Sequence, residues 1–343
     1  MNYSPAHQFF VGWDTSKETL NYCVRSMLGA IINEGEVKND RSSIRALLQQ
    51  LAQQHEVFLG EFLHCVENTG QYCHPLLGLS AQLPELYIWL EDPLQLNRSM
   101  GRQKNKTDII DARNVSEYCL LHHRKATQYQ LPSQLQQQVD FINKMRLRLV
   151  RHKQALGTSL EERKAFVLGP LDKLAVELIK QQLEATKKTI TELEQRLEHL
   201  IAKDTKAARK YAIARSVLGF GPKNTLTVMA ITGLFEKIPT AKACASYAGI
   251  SPHPRQSGKC LKRNSRISRA ASKELKTAIH QGAKYLITPQ CDSPFKDIYQ
   301  RLRLRGRTYN QAINAVRNKM ITVLYACLQK DTMYEKKVHQ SFG

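Results

Sequence analysis

The rhythm of the apolar residues changes part-way along this chain of 343 residues, and that change limits its folds more than any single motif does. In the first part, short apolar runs alternate with helical periods. Phe9-Phe10-Val11-Gly12-Trp13 reads as a strand running into Asp14, and Leu20 to Val24 can pair with it as a hairpin. Ile44, Leu47, Leu48 and Leu51 fall on one face of a helix from Ser42 to His55. A strand from Glu61 to Val66 leads into Glu67, followed by a helix around Tyr72 to Leu79 and a strand near Leu86 to Leu90. Asn97 to Lys106 is a basic loop. Thr107 then caps a helix carrying Ile109, Ala112, Cys119 and Leu120 at helical spacing.

From Pro132 to Lys203 the strand signal vanishes. Leu171, Leu174 and Leu178, then Ile190, Leu193, Leu197 and Leu200, recur at three- and four-residue steps, with a break around Gln181 to Lys188. Long antiparallel or coiled-coil helices follow from this. Spacing alone does not separate an intramolecular hairpin from an oligomerisation arm. Beyond Lys206 the pattern is that of a helical domain. It has a Gly-rich turn at Ser216 to Pro222, helices over Lys223 to Ile231 and Leu234 to Ile250, and a basic loop from Ser251 to Arg266. Helices over Ser268 to Tyr285 and Tyr309 to Leu328 complete it, and the tail after Asp331 is polar and loose. The expected organisation is an α/β domain at 1–130, a helical or coiled-coil segment at 131–205, an all-α domain at 206–330 and a tail at 331–343.

Charge narrows the function. Lys and Arg number 51 against 30 Asp and Glu, a formal net charge of +21. An excess of that size points to a polyanionic partner, because neutralising phosphates releases condensed counterions. The eight cysteines form no CxxC pair and no Cys/His set with zinc-ligand spacing, which suits reduced thiols in a reducing cytosol. His122-His123 reads as a polar helix end. Neither a secretory apolar core near the start nor an apolar run of bilayer length is visible, so a soluble cytoplasmic protein is expected, without a membrane partner.

Three segments carry acids at positions useful to chemistry: Asp14 and Glu67 at strand ends, and Asp108 with Asp111 on one helix face. Like charges so placed repel unless something offsets them. Hard oxygen ligands of this kind suit Mg²⁺ or Mn²⁺, which bind substrate phosphates. Taken singly, each acid is more readily an ordinary surface or capping residue. Jointly, in so basic a chain, they form a pattern.

Val11-Gly12-Trp13-Asp14-Thr15-Ser16-Lys17, Glu67-Asn68-Thr69-Gly70-Gln71-Tyr72 and Asn105-Lys106-Thr107-Asp108-Ile109-Ile110-Asp111-Ala112-Arg113 resemble the three motifs of a RuvC-like, RNase H-type domain. Together they resemble the DEDD transposases of bacterial insertion sequences, a group that includes the pilin-gene invertases. In the second half, Tyr247-Ala248-Gly249-Ile250-Ser251-Pro252, Gln256-Ser257-Gly258 and Arg266-Ile267-Ser268-Arg269 resemble the C-terminal transposase domain of the same family. The resemblance runs from Phe10 to about Leu328. One departure is Arg269-Ala270-Ala271, where the family usually has Lys-x-Gly.

The resemblance implies a mixed-sheet RNase H-like domain holding Mg²⁺ or Mn²⁺ through Asp14, Glu67, Asp108 and Asp111, and a nucleophile at Ser257. It also implies donor and target DNA, a guide non-coding RNA, a dimer or tetramer with a composite active site, and work at the bacterial nucleoid. Ser-Gly alone is a weak signal, and Ser265 and Ser268 are rival serines, the latter resembling an N-cap. Lys104, Lys106, Arg113, Lys259, Lys262, Arg263, Arg266 and Arg269 are the expected nucleic-acid contacts, with Lys273 close to the last of them. Arg301, Arg303, Arg305 and Arg307 form another basic run, which reads as solvated charge or, in this context, as a phosphate or RNA contact. The Gly219-x-Gly221 turn reads equally as a phosphate-binding helix–hairpin–helix or as a helix cap before Pro222. Two other readings stay open: a junction endonuclease using water, and a non-catalytic nucleic-acid scaffold.

Overall fold

Alternation in the first hundred residues builds a five-stranded sheet. The computed structural model describes residues 7–99, 107–163, 169–251 and 271–335, together with the backbone of 253–257 and 261–266. Contacts divide the chain once, into Met1–Leu131 and Pro132–Gly343.

In the first unit, β1 (Phe9–Thr15), β2 (Thr19–Ser26), β3 (Ile31–Lys38), β4 (Phe62–Glu67) and β5 (Tyr87–Glu91) lie in the order β3-β2-β1-β4-β5. β1 to β3 form an antiparallel meander, whereas β4 runs parallel to β1 and β5 parallel to β4. Parallel neighbours need a crossover, and α1 (Arg41–Gln54) and α2 (His74–Leu79) lie in the connections. The arrangement agrees with a mixed-sheet, RNase H-like domain. Two boundaries differ from the sequence reading: Asp14 is inside β1, paired with Asn21, and Glu67 is the last residue of β4. β3 is an addition. It is an exposed edge strand whose Glu34, Glu36 and Lys38 mask any apolar alternation.

The sheet has two buried faces. Val11, Trp13, Leu20, Tyr22 and Val24 meet Ile44, Leu48 and Leu51 of α1 and Leu76 of α2. Phe10, Leu63 and Cys65 meet Val115, Tyr118 and Cys119 of α4 (Asp108–His122), with Leu96 of α3 (Pro93–Ser99) beside them. α3 replaces the start of the expected basic loop. Asp92 Oδ1 accepts from the Leu94 amide at its head.

α4 lies directly against β1 because residue 12 is glycine. A Cβ there would stand 2.1 Å from the Ser116 nitrogen and 2.4 Å from the Ala112 oxygen. Backbone on both sides leaves nothing to give way.

The second unit is helical apart from one hairpin. α5 (Gln134–Arg163) packs on α6 (Pro170–Ala202) within the chain, and α6 runs unbroken through 181–188. Ile190, Leu197 and Ile201 are buried, whereas Leu171, Leu174 and Leu178 stay more than half exposed. Arg146 of α5 is only 4% exposed. It is neutralised by Glu194 of α6 at 3.1 Å and bonded to Thr227 and the Lys223 carbonyl, which ties the hairpin to α8 (Pro222–Ile231).

α7 (Thr205–Ser216), α9 (Ala241–Tyr247), α10 (Lys273–Leu286), α11 (Pro294–Leu304) and α12 (Tyr309–Lys330) complete a core that includes Phe220, Met229, Ile279, Ile313 and Met320. Gly219 has φ +89°, and a Cβ on its neighbour Gly282 would lie 2.2 Å from its oxygen. The turn therefore serves close packing against α10, with Gly221 as N-cap and Pro222 opening α8.

Several expectations shift here. The helix over 234–250 contracts to α9, α11 was not foreseen, and α10 is capped by Ser272, whose hydroxyl accepts from the Leu275 amide. Ser268 lies outside the described residues. The basic loop contains β6 (His253–Ser257) and β7 (Leu261–Arg266), paired antiparallel without any apolar alternation to announce them. The tail is held as far as Tyr334, whose amide donates to Ser216 Oγ at 2.8 Å. Among the described residues no helix is long and apolar enough to cross a membrane.

Replacing Gly12 by Ala forces α4 off the sheet. The expected loss is about 3 kcal/mol or more, read as a fall in the denaturation midpoint. Equal stability of Gly12→Ala and wild type would refute the direct helix–sheet contact.

Candidate active site

The four predicted acids come from three elements, and each is placed by the packing just described. Side chains alternate along a strand, so Asp14 shares the face of Gly12, and Glu67 that of Cys65. Gly12 pairs with Cys65 and Trp13 with Val66 in the parallel register, which sets Asp14 level with Glu67 at the carboxyl ends of adjacent strands. The strand ends of an open α/β sheet are where ligands are ordinarily held. α4 crosses this face with Ala112 and Ser116 over Gly12, so its first turn, bearing Asp108 and Asp111, reaches the same end.

Electrostatics register the convergence. The Asp14 carboxyl is pushed up to about 6, first by burial and then by the charges of Asp111, Asp108 and Glu67. All four acids thus share one field. Among the described residues, no three His, Cys, Asp or Glu side chains stand at ligand spacing, so the field is not yet a cage. The donor set is all oxygen and mutually repelling, which fits a hard divalent cation bound together with a substrate phosphate. Asp14, Glu67 and Asp111 are half-buried, and Asp108 is exposed.

Neighbouring bonds hold the strand ends in place. Cys73 Sγ donates to the Glu67 carbonyl at 3.0 Å, Thr15 is hydrogen-bonded to Thr69, and the Asn68 amide donates to the Glu91 carbonyl at 3.0 Å. Trp13 Nε1 donates to Nδ1 of the fully buried His64 at 3.2 Å, joining β1 to β4 on the opposite face. Burial drives His64 down to about 3, so it is a neutral acceptor. Glu91, which no motif marked, pairs with Glu67 across β4 and β5. Its carboxylate already accepts from the Tyr118 hydroxyl at 2.9 Å.

Comparison with known proteins agrees with this layout. Residues 11–162 match a DEDD transposase family of the IS110 type, and residues 211–300 match the family described as "Transposase IS116/IS110/IS902 family". Two separate stretches of the chain are thus similar to IS110-type transposases. A pilin gene-inverting protein of Moraxella lacunata is 26% identical over 152 residues, 44% of this chain and 47% of that one. The insertion element IS110 uncharacterized 43.6 kDa protein of Streptomyces coelicolor is 29% identical over 126 residues, 37% of this chain and 30% of that one. The chain thus spans about half, or less, of the length of these relatives.

The remaining expected site residues are spread over both units. Ser257 is the last residue of β6, opposite Leu261 of β7, and Lys262, Arg263 and Arg266 follow on β7. Lys104, Lys106, Lys259 and Arg269 lie outside the described residues. Arg113 is committed within the chain: its Nε donates to Glu34 Oε2 at 2.6 Å and its Nη2 to Glu34 Oε1. That bidentate pair holds the Glu34 carboxyl below its ordinary value.

Because folding raises the Asp14 pKa, the folded chain takes up a proton between pH ~4 and ~6. Without a divalent ion, stability is therefore expected to fall as pH rises through that window and then to level off. Asp14→Asn should flatten the trend in thermal melts and remove the upward Tm shift that Mn²⁺ gives the wild type. A pH trend unchanged in Asp14→Asn would deny the shared field.

Proposed function

We propose that this chain is a transposase that cuts and rejoins DNA through a covalent phosphoserine link, using a divalent ion at Asp14, Glu67, Asp108 and Asp111 and Ser257 as nucleophile. The observation that carries the metal half is the raised Asp14 carboxyl, lifted by burial and then by the three other acids, whose charges share one field with it. Similarity of residues 211–300 to the IS116/IS110/IS902 transposases and the run Gln256-Ser257-Gly258 support the nucleophile half.

The bound ion, Mg²⁺ or Mn²⁺, would neutralise phosphate oxygens and make the phosphorus more electrophilic. Ser257 Oγ would attack that phosphorus. One P–O bond forms to serine and one P–O bond to deoxyribose breaks, with the serine proton ending on the released sugar hydroxyl. Reversal by a hydroxyl of another strand restores a phosphodiester and frees Ser257. Bond types are conserved, so no external energy is needed. A serine hydroxyl needs activation, and the cations at Lys259, Lys262, Arg263 and Arg266 lie close by in sequence to stabilise charge developing on the phosphate.

The reading extends to donor and target DNA as substrates, a guide RNA, and a dimer or tetramer in which acids and serine meet across subunits, acting at the bacterial nucleoid. For this part the support is the family resemblance and the charge of +21. A metal-dependent junction endonuclease using water remains the second reading, since the acid cluster alone would suffice for it.

Incubating the protein with a cleavable DNA substrate and Mg²⁺, then denaturing, separates the two. An adduct is expected from wild type and none from Ser257→Ala or EDTA-treated protein. Asp111→Asn should slow adduct formation at least ~100-fold, the scale seen when a key charge-stabilising group is lost. Metal-dependent cutting by Ser257→Ala, with no adduct from either protein, would establish the endonuclease instead.

A further inference from the structure

Among the described residues of the second unit, Arg317 is a half-buried cation without a counter-ion. Arg317 of α12 lies with its Nη2 at 2.6 Å from His280 Nδ1 on α10 and its Nη1 at 3.5 Å from Asn314 Oδ1. Its Nε is buried and has no hydrogen-bond partner. Burial lowers the guanidinium's pKa, and the neighbour that favours its charge is the Tyr309 phenol rather than a carboxylate. Among the described residues Arg317 has no ion pair, and the residues outside the described ranges include no Asp or Glu. Glu274, the acid of α10, is taken by Arg151 of α5.

The surroundings add positive charge instead of offsetting it. Lys276, His280 and Lys284 recur at four-residue steps and form one stripe of α10. Burial first, and then the charges of Arg317, Lys284 and Lys276, disfavour a proton on His280. With Nδ1 accepting from Arg317, the neutral ring carries its proton on Nε2, a further donor. Two of the five guanidinium N–H groups find partners. Such a cluster is costly in an isolated protein and is relieved by an anion.

Its place in the fold says which anion. Asn314, one turn from Arg317, donates to the Ile250 carbonyl at 2.7 Å, and the Ser272 amide donates to the Tyr247 carbonyl at 2.8 Å. Both ends of the segment that carries Ser257 are therefore anchored at this corner. Residues 252–270 contain six Lys and Arg and no acid.

We infer that Arg317, together with His280, Lys276 and Lys284, is a phosphate subsite for the DNA strand on which Ser257 acts. The assignment of the strand rests on the proposed role of Ser257. Arg317 and His280 would donate to the non-bridging oxygens of one phosphodiester, and the two lysines would take its neighbours.

The test uses the full chain and fluorescently labelled DNA, with anisotropy titrations over a salt series and thermal melts. Arg317→Met is expected to weaken DNA binding about tenfold and to lower the salt slope by about one, while Tm holds or rises because an uncompensated cation is gone. Lys276→Gln with Lys284→Gln changes exposed or half-exposed side chains only, and should lower the slope by about two with Tm unchanged. Wild-type affinity and slope in both variants, or a lower Tm in Arg317→Met with unchanged affinity, would make Arg317 a structural residue and overturn the subsite. A loss confined to RNA of the same sequence would overturn the DNA assignment. Ser257→Ala keeps the outcomes apart. It should bind like wild type and form no adduct, and an adduct that persists sinks the nucleophile reading together with the strand assignment. Loss of the adduct alongside undiminished binding by Arg317→Met sinks the subsite alone.

Discussion

The contact on which the first unit depends is the approach of α4 to β1 at Gly12. Backbone meets backbone there, with no room for a single added carbon. The approach fixes the height of α4 above the sheet and its axial position, and the axial position decides where Asp108 and Asp111 fall. Ala112, Val115 and Cys119 then lock the helix by burial. Apolar packing alone would tolerate a slide of the helix; a glycine flanked by the Ala112 oxygen and the Ser116 nitrogen does not. The carboxylates are thus brought together by an interaction that involves no carboxylate.

Gathering them has an energetic consequence. The Asp14 carboxyl is pushed up to about 6, first because burial disfavours its charge and then because ionising it means a fourth charge in one field. The fold holds this arrangement through neutral bonds nearby, such as Cys73 to the Glu67 carbonyl and Trp13 to His64, which add no compensating charge. Where the chain does neutralise charge, it does so fully: Arg113 with Glu34, and Arg146 with Glu194 in the interior of the second unit. Pairing is available to this fold, so the want of an ion pair at Arg317 among the described residues is a property of that place and not of the composition.

The acids could be read from the sequence because two features coincided. Short apolar strands ending in Asp14 and Glu67 carry the alternation that marks a strand, and Asp108 and Asp111 sit at a helical spacing. Ile44, Leu47, Leu48 and Leu51 line up on α1 as their periodicity requires. What escaped notice lacked an apolar signal. β3 is an edge strand of alternating charge, and β6 and β7 pair through backbone in a stretch with hardly a hydrophobic residue. α11 was obscured by its arginines, although Ser293 and Pro294 form a readable start. Gly12 belongs to a sequence motif, yet its role depends on a helix a hundred residues later, which local pattern cannot reveal. Arg317 and His280 are 37 residues apart, and only the packing of α10 on α12 makes them one feature.

The two kinds of unbalanced charge bear on one another through the substrate they suit. A nucleic-acid strand is a row of anions, and a cluster of acids repels it unless a divalent ion intervenes, so the proposed metal site would favour a phosphate that arrives with metal. Arg317 and the stripe on α10 attract phosphate directly and need no ion. A strand held by the second kind of site can be positioned before any metal-dependent step, which lets binding and chemistry be controlled separately. Removing metal from such a protein should leave its grip on DNA largely intact, whereas removing Arg317 should loosen the grip and leave the acid cluster unaltered. A chain that merely carried excess lysine for solubility would show neither behaviour, since its cations would be solvated.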